Sequence, residues 1–145
     1  MTKPRTLALL VVVAHWIVAV CHLFLAAKVL SDPNNNASWL GISLITLGHL
    51  VVSMGLWRLS DKLAGLASLV FFLAALSADL YEHFLHASAN NVFMVAAGDW
   101  TPLFNVSVFI LLAFEILGFL LGIRLLRSKS NNDGQSQVDN LRVFG

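Results

Sequence analysis

The chain has 145 residues, of which 58% are hydrophobic and 12% charged, with a net charge of +1 and a mean hydropathy of +0.79. A soluble domain is about 45–50% apolar and about 25% charged, so this composition suits a protein whose solvent is lipid. The balanced charge leaves no footprint for nucleic acid, and the single cysteine, Cys21, excludes an intramolecular disulfide.

A helix needs about 20 apolar residues to cross a bilayer core. Four stretches meet that length, at about 7–30, 40–59, 63–88 and 103–126. The pattern predicts an all-α integral membrane protein, a four-transmembrane-helix up-and-down bundle within residues 1–130. The first stretch is too long for the apolar core of a signal peptide and reads as a retained span. Turn formers in SDPNNNASW separate spans 1 and 2. The three residues SDK force spans 2 and 3 into an antiparallel hairpin, with Ser60 or Asp61 as the cap of span 3. Thr101 and Pro102 read as N-cap and first residue of span 4. Residues 131–145 read as a flexible polar tail.

Lys3, Arg5, Arg58, Lys62, Arg124, Arg127 and Lys129 all fall at one end of such a bundle. The positive-inside rule then places both the N and C termini in the cytoplasm. Trp39 and Trp100 fall at the outer interface and Trp57 at the inner one, while Trp16 lies mid-membrane as a packing residue. The sequon at Asn36 is outside but in a very short loop, and that at Asn105 is inside span 4, so neither is read as glycosylated.

Ionisable groups are costly in lipid, at about 2.5–3.5 kcal/mol each near the centre on insertion scales. Yet the spans contain His15, His22, His49, Asp79, Glu82, His83, His86 and Glu115. At about 100° per residue, Asp79, Glu82, His83 and His86 share one face of span 3. His15 and His22 form a stripe with Ala19 and Ala26 beside it. Thr46, His49 and Ser53 form another. Glu115 shares a face with Gly118 and Gly122, a GxxxG pattern that lets helices approach closely. Pointed inward, the four stripes build a polar site rising from mid-membrane toward the outer face. Lys28 lies at a depth where an ion pair with Glu82 is geometrically feasible. The apolar third linker, VFMVAAGDW, reads equally as a lid over this site or as an interfacial connector.

The segments FLAALSADLYEHF and AFEILGFLLGIRLL, with Glu82 as the distinctive residue, resemble the small four-span scaffold family of sterol biosynthesis. That resemblance implies a non-catalytic scaffold of the endoplasmic reticulum. The residues themselves favour a metal ion or haem supporting redox or oxygen chemistry. Imidazole is the commonest metal ligand, and carboxylates beside imidazoles suit iron, zinc or manganese. His22, His49, His83 and His86 are the cofactor-binding candidates, and His83, His86, Asp79 and Glu82 form the candidate metal set. No Glu-x-x-His motif of a di-iron bundle is present. The first alternative is metal-free acid–base catalysis (isomerase, cyclase or hydrolase) on a lipophilic small molecule, with Asp79, Glu82 and Glu115 as catalytic candidates. A proton or ion pathway, or a scaffold subunit in a homodimer or larger membrane complex, completes the set.

Overall fold

Pro4 in the first turn lacks the N–H that a helix start leaves unpaired anyway, and α1 runs Lys3–Leu30. α2 spans Ala37–Arg58. α3 spans Asp61–Leu80, with the Ser60 side chain accepting the Leu63 N–H at its start. α3 continues directly into a π-helical turn, Tyr81–Leu85, and α4 spans Thr101–Arg127. The structure is a computed structural model that describes residues 3–30 and 37–127, with backbone only for 37–42. The Asn36 sequon, Lys129 and the tail at 131–145 lie outside the described residues, as does the side chain of Trp39.

α1 (Lys3–Leu30), the α3 segment Asp61–Leu85, and α4 are long and apolar enough to cross a membrane. The distribution of side chains agrees. Leu10, Phe24, Val70 and Phe109 are exposed, whereas His15, His22, His49, His83, Ser107 and Glu115 are buried. An aqueous protein does the reverse. On α4 the buried seam steps through Phe104, Ser107, Val108, Leu111, Glu115, Gly118, Leu121, Gly122 and Leu125. Steps of three and four mark helices packed at small angles along their length.

The basic ends gather at one end of the bundle. The Arg5 guanidinium donates to the Leu59 carbonyl and pairs with Asp61 at 3.3 Å, pinning the start of α1 to the α2–α3 turn. At the same end α3 and α4 touch backbone to backbone. A Cβ on Gly122 would lie 2.9 Å from Leu69 N and 3.0 Å from Gly65 O, and one on Gly65 would lie 2.9 Å from Gly122 O. The GxxxG glycines therefore pack within the bundle. Gly122 receives α3, and Gly118 leaves room for the ring of Phe72, which would come within 2.3 Å of a Cβ there.

Two local expectations are corrected. Span 3 does not stay α-helical to residue 88: the His86 N–H bonds to the Tyr81 carbonyl, and His86 itself is extended at φ −76°, ψ 127°. Thr101 does not cap α4. It is the first helical residue, and its hydroxyl turns back to donate to the Ala96 carbonyl at 2.7 Å.

Candidate functional site

Residues from each of the four stripes line a cavity of about 360 Å³. His15, Ala19, His22 and Ala26 line it from α1. Ile45 and His49 come from α2, Asp79 from α3, Glu82 and His83 from the π turn, and Leu111 and Glu115 from α4. Asn90 in the 86–100 loop completes the wall. Most of the lining is apolar, with a few converging polar groups, as in small-molecule sites.

The hydrogen bonds fix which imidazole nitrogens are engaged. His49 Nδ1 lies 2.6 Å from the carbonyl of Ile45, which can only accept, so Nδ1 carries the proton. His49 Nε2 is 2.6 Å from His15 Nδ1 and must accept from it while His49 is neutral. His15 Nε2 then faces Glu115 Oε1 at 3.2 Å, and one proton lies between them. The result is a continuous relay, Ile45 carbonyl–His49–His15–Glu115, crossing from α2 through α1 to α4. Glu115 is 1% exposed. Asp79, half-buried, interacts with Glu115, His83 and His15 across the cavity. The two carboxyls share a hydrogen bond, so Asp79 is the protein group that pairs with Glu115 in the cavity wall.

A second pair sits farther from the basic end. The Ser107 hydroxyl donates to the Phe104 carbonyl at 2.6 Å, so at 2.9 Å it accepts from His22 Nδ1. His83 Nδ1 donates to the Asn90 carbonyl at 2.9 Å. The two rings meet edge to face with centroids 4.9 Å apart.

Asn91 holds the loop on which His83 leans. It is buried, donates from Nδ2 to the His86 carbonyl at 2.9 Å and accepts the Phe93 N–H at 3.0 Å. The Val92 N–H reaches the His83 carbonyl at 3.0 Å. Nothing in the residue pattern singled out Asn91, because its role depends on a turn and not on helical periodicity. Asn91→Leu removes both side-chain bonds, and each buried group left unpaired costs about 1–3 kcal/mol. Amide hydrogen exchange in residues 86–100 is expected to rise while helical content stays unchanged.

His86, named as a ligand candidate, is not part of the cavity. It stacks on Tyr81 with centroids 5.3 Å apart and lies 3.3 Å from Glu82, both side chains 46% exposed. The π turn explains this. A wider turn and an extended residue rotate position 86 off the face that a uniform helix would give it. Lys28 does not meet Glu82, and its ammonium lies 5.4 Å from the centroid of Phe24. Thr46 and Ser53 line the outside of the α1–α2 seam instead of the cavity. His15, absent from the candidate ligands, is the centre of the relay. Its position beside Glu115 depends on the register between α1 and α4, which no single-helix pattern contains.

The expected metal or haem gains no support from this donor set. Among the described residues, no three His, Cys, Asp or Glu side chains are arranged to hold a metal ion. His15 has both ring nitrogens engaged, and His49 meets it nitrogen to nitrogen at 2.6 Å, with centroids 4.9 Å apart. Axial imidazoles of one haem stand on opposite faces of the iron, a geometry that neither close-packed histidine pair has. No family model, no curated protein and no solved structure matches this chain, so the resemblance to the sterol scaffold family carries no further weight and function has to be read from the site itself.

Proposed function

We propose that this is a small multi-pass membrane enzyme that moves protons on a neutral lipophilic molecule by general acid–base chemistry, with Glu115 as the proton-transferring group. One observation carries the reading. Glu115 has one oxygen held by His15 at 3.2 Å, and its carboxyl pairs with that of Asp79 in the cavity wall. Two carboxyls that share a proton beside an apolar cavity hold it where the reacting carbon of a ligand can meet it. Burial also removes the competing water that would weaken such a contact.

The chemistry follows from the relay. Glu115 Oε2 takes a proton from a carbon next to a double bond or carbonyl. The electron pair shifts along the conjugated system, and a proton returns to a different carbon from Asp79 or from Glu115 itself. His15, steadied by His49, adjusts the charge on Glu115 by accepting or giving the shared proton. Double-bond isomerisation is the simplest reaction of this kind, and a cyclisation would begin instead with the second step, protonation of carbon by the carboxyl pair.

In this reading α2 also crosses the bilayer, as its 22 residues allow at about 1.5 Å per residue. The basic end faces the cytoplasm and the cavity lies toward the opposite leaflet. His49 and Glu115 sit roughly 14 Å of helix rise from Arg58 and Arg124, near the bilayer midplane.

The test uses proteoliposomes in D₂O, loaded with a total neutral-lipid extract and read by mass spectrometry. Protein-dependent deuterium uptake into one lipid species is the expected result. Uptake no greater than in protein-free liposomes for every species removes the reading. The same relay is also suited to carrying protons across a membrane, and a protein-dependent pH change in sealed liposomes without lipid deuteration would favour that function.

A further inference from the structure

The cavity has a neighbour on its lateral side. Between α1 and α2, Val12, Val13, Trp16, Thr46 and Leu50 line a groove of about 200 Å³, and His49 forms part of its wall. His49 also lines the cavity. A single imidazole of the relay thus forms part of the wall of both the groove and the cavity. Toward the basic end, Ser53 is shared with a further depression of about 540 Å³ bordered by Leu9, Met54 and Trp57.

Several other sides of the cavity are closed among the described residues. Backbone contact at Gly65 and Gly122 closes the α3–α4 seam. Leu56, Phe72 and Val12, all buried, fill the bundle below the cavity. At the far end the 86–100 loop is tied to His83 through Asn90 and Val92. Across the α1–α2 groove run two described side-chain hydrogen bonds, Trp16 Nε1 to Thr46 Oγ1 at 3.1 Å at the outer face and His15 to His49 at 2.6 Å behind it. Leu50 is 54% and Val13 44% exposed, so hydrocarbon is the medium that fills this groove when the helices span a membrane.

We infer that the α1–α2 groove is the chain-binding subsite of the same site: it holds the single acyl or isoprenoid chain of a lipid whose uncharged, hydrogen-bonding end reaches the cavity past His49. This rests on the reading of the cavity as a site for a lipophilic molecule. The chain supplies apolar contact along Val12, Val13 and Leu50. The end group, a carbonyl or hydroxyl, meets the Glu115–Asp79 carboxyl pair. A charged headgroup is disfavoured because passage through the groove offers no countercharge near His49. Trp16, Thr46 and His49 are the residues that must move to admit it.

The experiment is photo-crosslinking in proteoliposomes with a trace of fatty alcohol bearing a mid-chain diazirine, mapped by peptide mass spectrometry. The α4 face at Val106, Phe109 and Leu117 is an internal control, because it carries an apolar depression of about 450 Å³ that does not include any cavity residue. Labelling at residues 11–16 and 46–53 is expected to be saturable and competed by unlabelled fatty alcohol, and labelling of the α4 face is expected to be neither. Ser53→Trp and, separately, Leu50→Trp fill the groove and lower the saturable labelling about tenfold, equivalent to ~1.4 kcal/mol. Leu50 is outward-facing, so its variant keeps the fold if Ser53→Trp does not. Glu115→Gln retains the labelling. Equal, uncompeted labelling of both faces, or no change in a folded groove variant, overturns the inference. If Glu115→Gln keeps full deuterium transfer while the labelling pattern holds, the catalytic reading fails and the lipid subsite stands.

Discussion

Glu115→Gln is expected to lower deuterium transfer by about 10²–10⁴-fold, the usual contribution of a positioned acid or base, while the bundle stays folded. The amide has nearly the shape of the carboxyl, and its NH₂ group can donate to His15 Nε2 where Glu115 Oε1 now lies at 3.2 Å. The Ile45–His49–His15 portion of the relay then persists. What is lost is a group able to take up and release a proton at the Oε2 position. Glu115→Leu separates the two roles. It leaves His15 Nε2 buried and unpaired, at a cost of about 1–3 kcal/mol, so it should melt at lower temperature as well as lose transfer. His86→Ala is the control. That ring lies outside the cavity and is half-exposed, so transfer and stability should both stay near those of the unaltered protein. Circular-dichroism melting in detergent, paired with deuterium uptake in liposomes, reads all three variants. Full transfer by a folded Glu115→Gln protein would rule out Glu115 as the proton carrier.

The inward stripes were legible in the sequence because each is a property of one helix. His15, Ala19, His22 and Ala26 recur at steps of three and four, and all four line the cavity. The same holds for Glu115, Gly118 and Gly122 on the buried seam of α4. What the sequence could not show depends on relations between elements, or on departures from the α period. The π turn at Tyr81–Leu85 has no composition that distinguishes it from an α turn, so His86 was placed on a face it does not share. The partner of Gly122 is Gly65, 57 positions away, and their pairing needs the α3–α4 register. The ligand reading counted imidazoles without knowing their partners. Once Ile45, Ser107 and Asn90 are seen to hold three Nδ1 atoms and His15 to bridge His49 and Glu115, the cluster reads as a hydrogen-bond relay. Holding one ring nitrogen on a carbonyl or hydroxyl is how proteins ordinarily orient a histidine, and the direct contacts between rings are what depart from a ligand set.

Gly122→Val is expected to have the largest structural effect of any single substitution considered, because the atoms in its way belong to main chain. A Cβ at position 122 would stand 2.9 Å from Leu69 N, 3.0 Å from Gly65 O and 3.1 Å from Leu69 Cα. No rotamer change relieves such contacts, and valine adds two methyl groups to them. α3 has little freedom to withdraw. Its start is capped by Ser60 and its turn is clasped by Arg5 through Leu59 and Asp61. The helices must therefore part, losing the van der Waals contact that holds spans together where water provides no drive. Overpacking of this kind costs about 1–3 kcal/mol. The helix-propensity gain from replacing glycine, under about 1 kcal/mol, offsets only part of it. The consequence reaches the site, since Gly122, Gly118 and Glu115 lie on one buried seam of α4. Moving that seam away from α3 also shifts Glu115 against His15, so proton transfer should fall along with the melting temperature. Gly98→Ala provides the comparison: a Cβ there meets nothing nearer than Thr101 Oγ1 at 3.8 Å, and little change is expected. If Gly122→Val melts and reacts like the unaltered protein, α3 and α4 do not approach at these glycines, and the register that sets Glu115 beside His15 would have to be different.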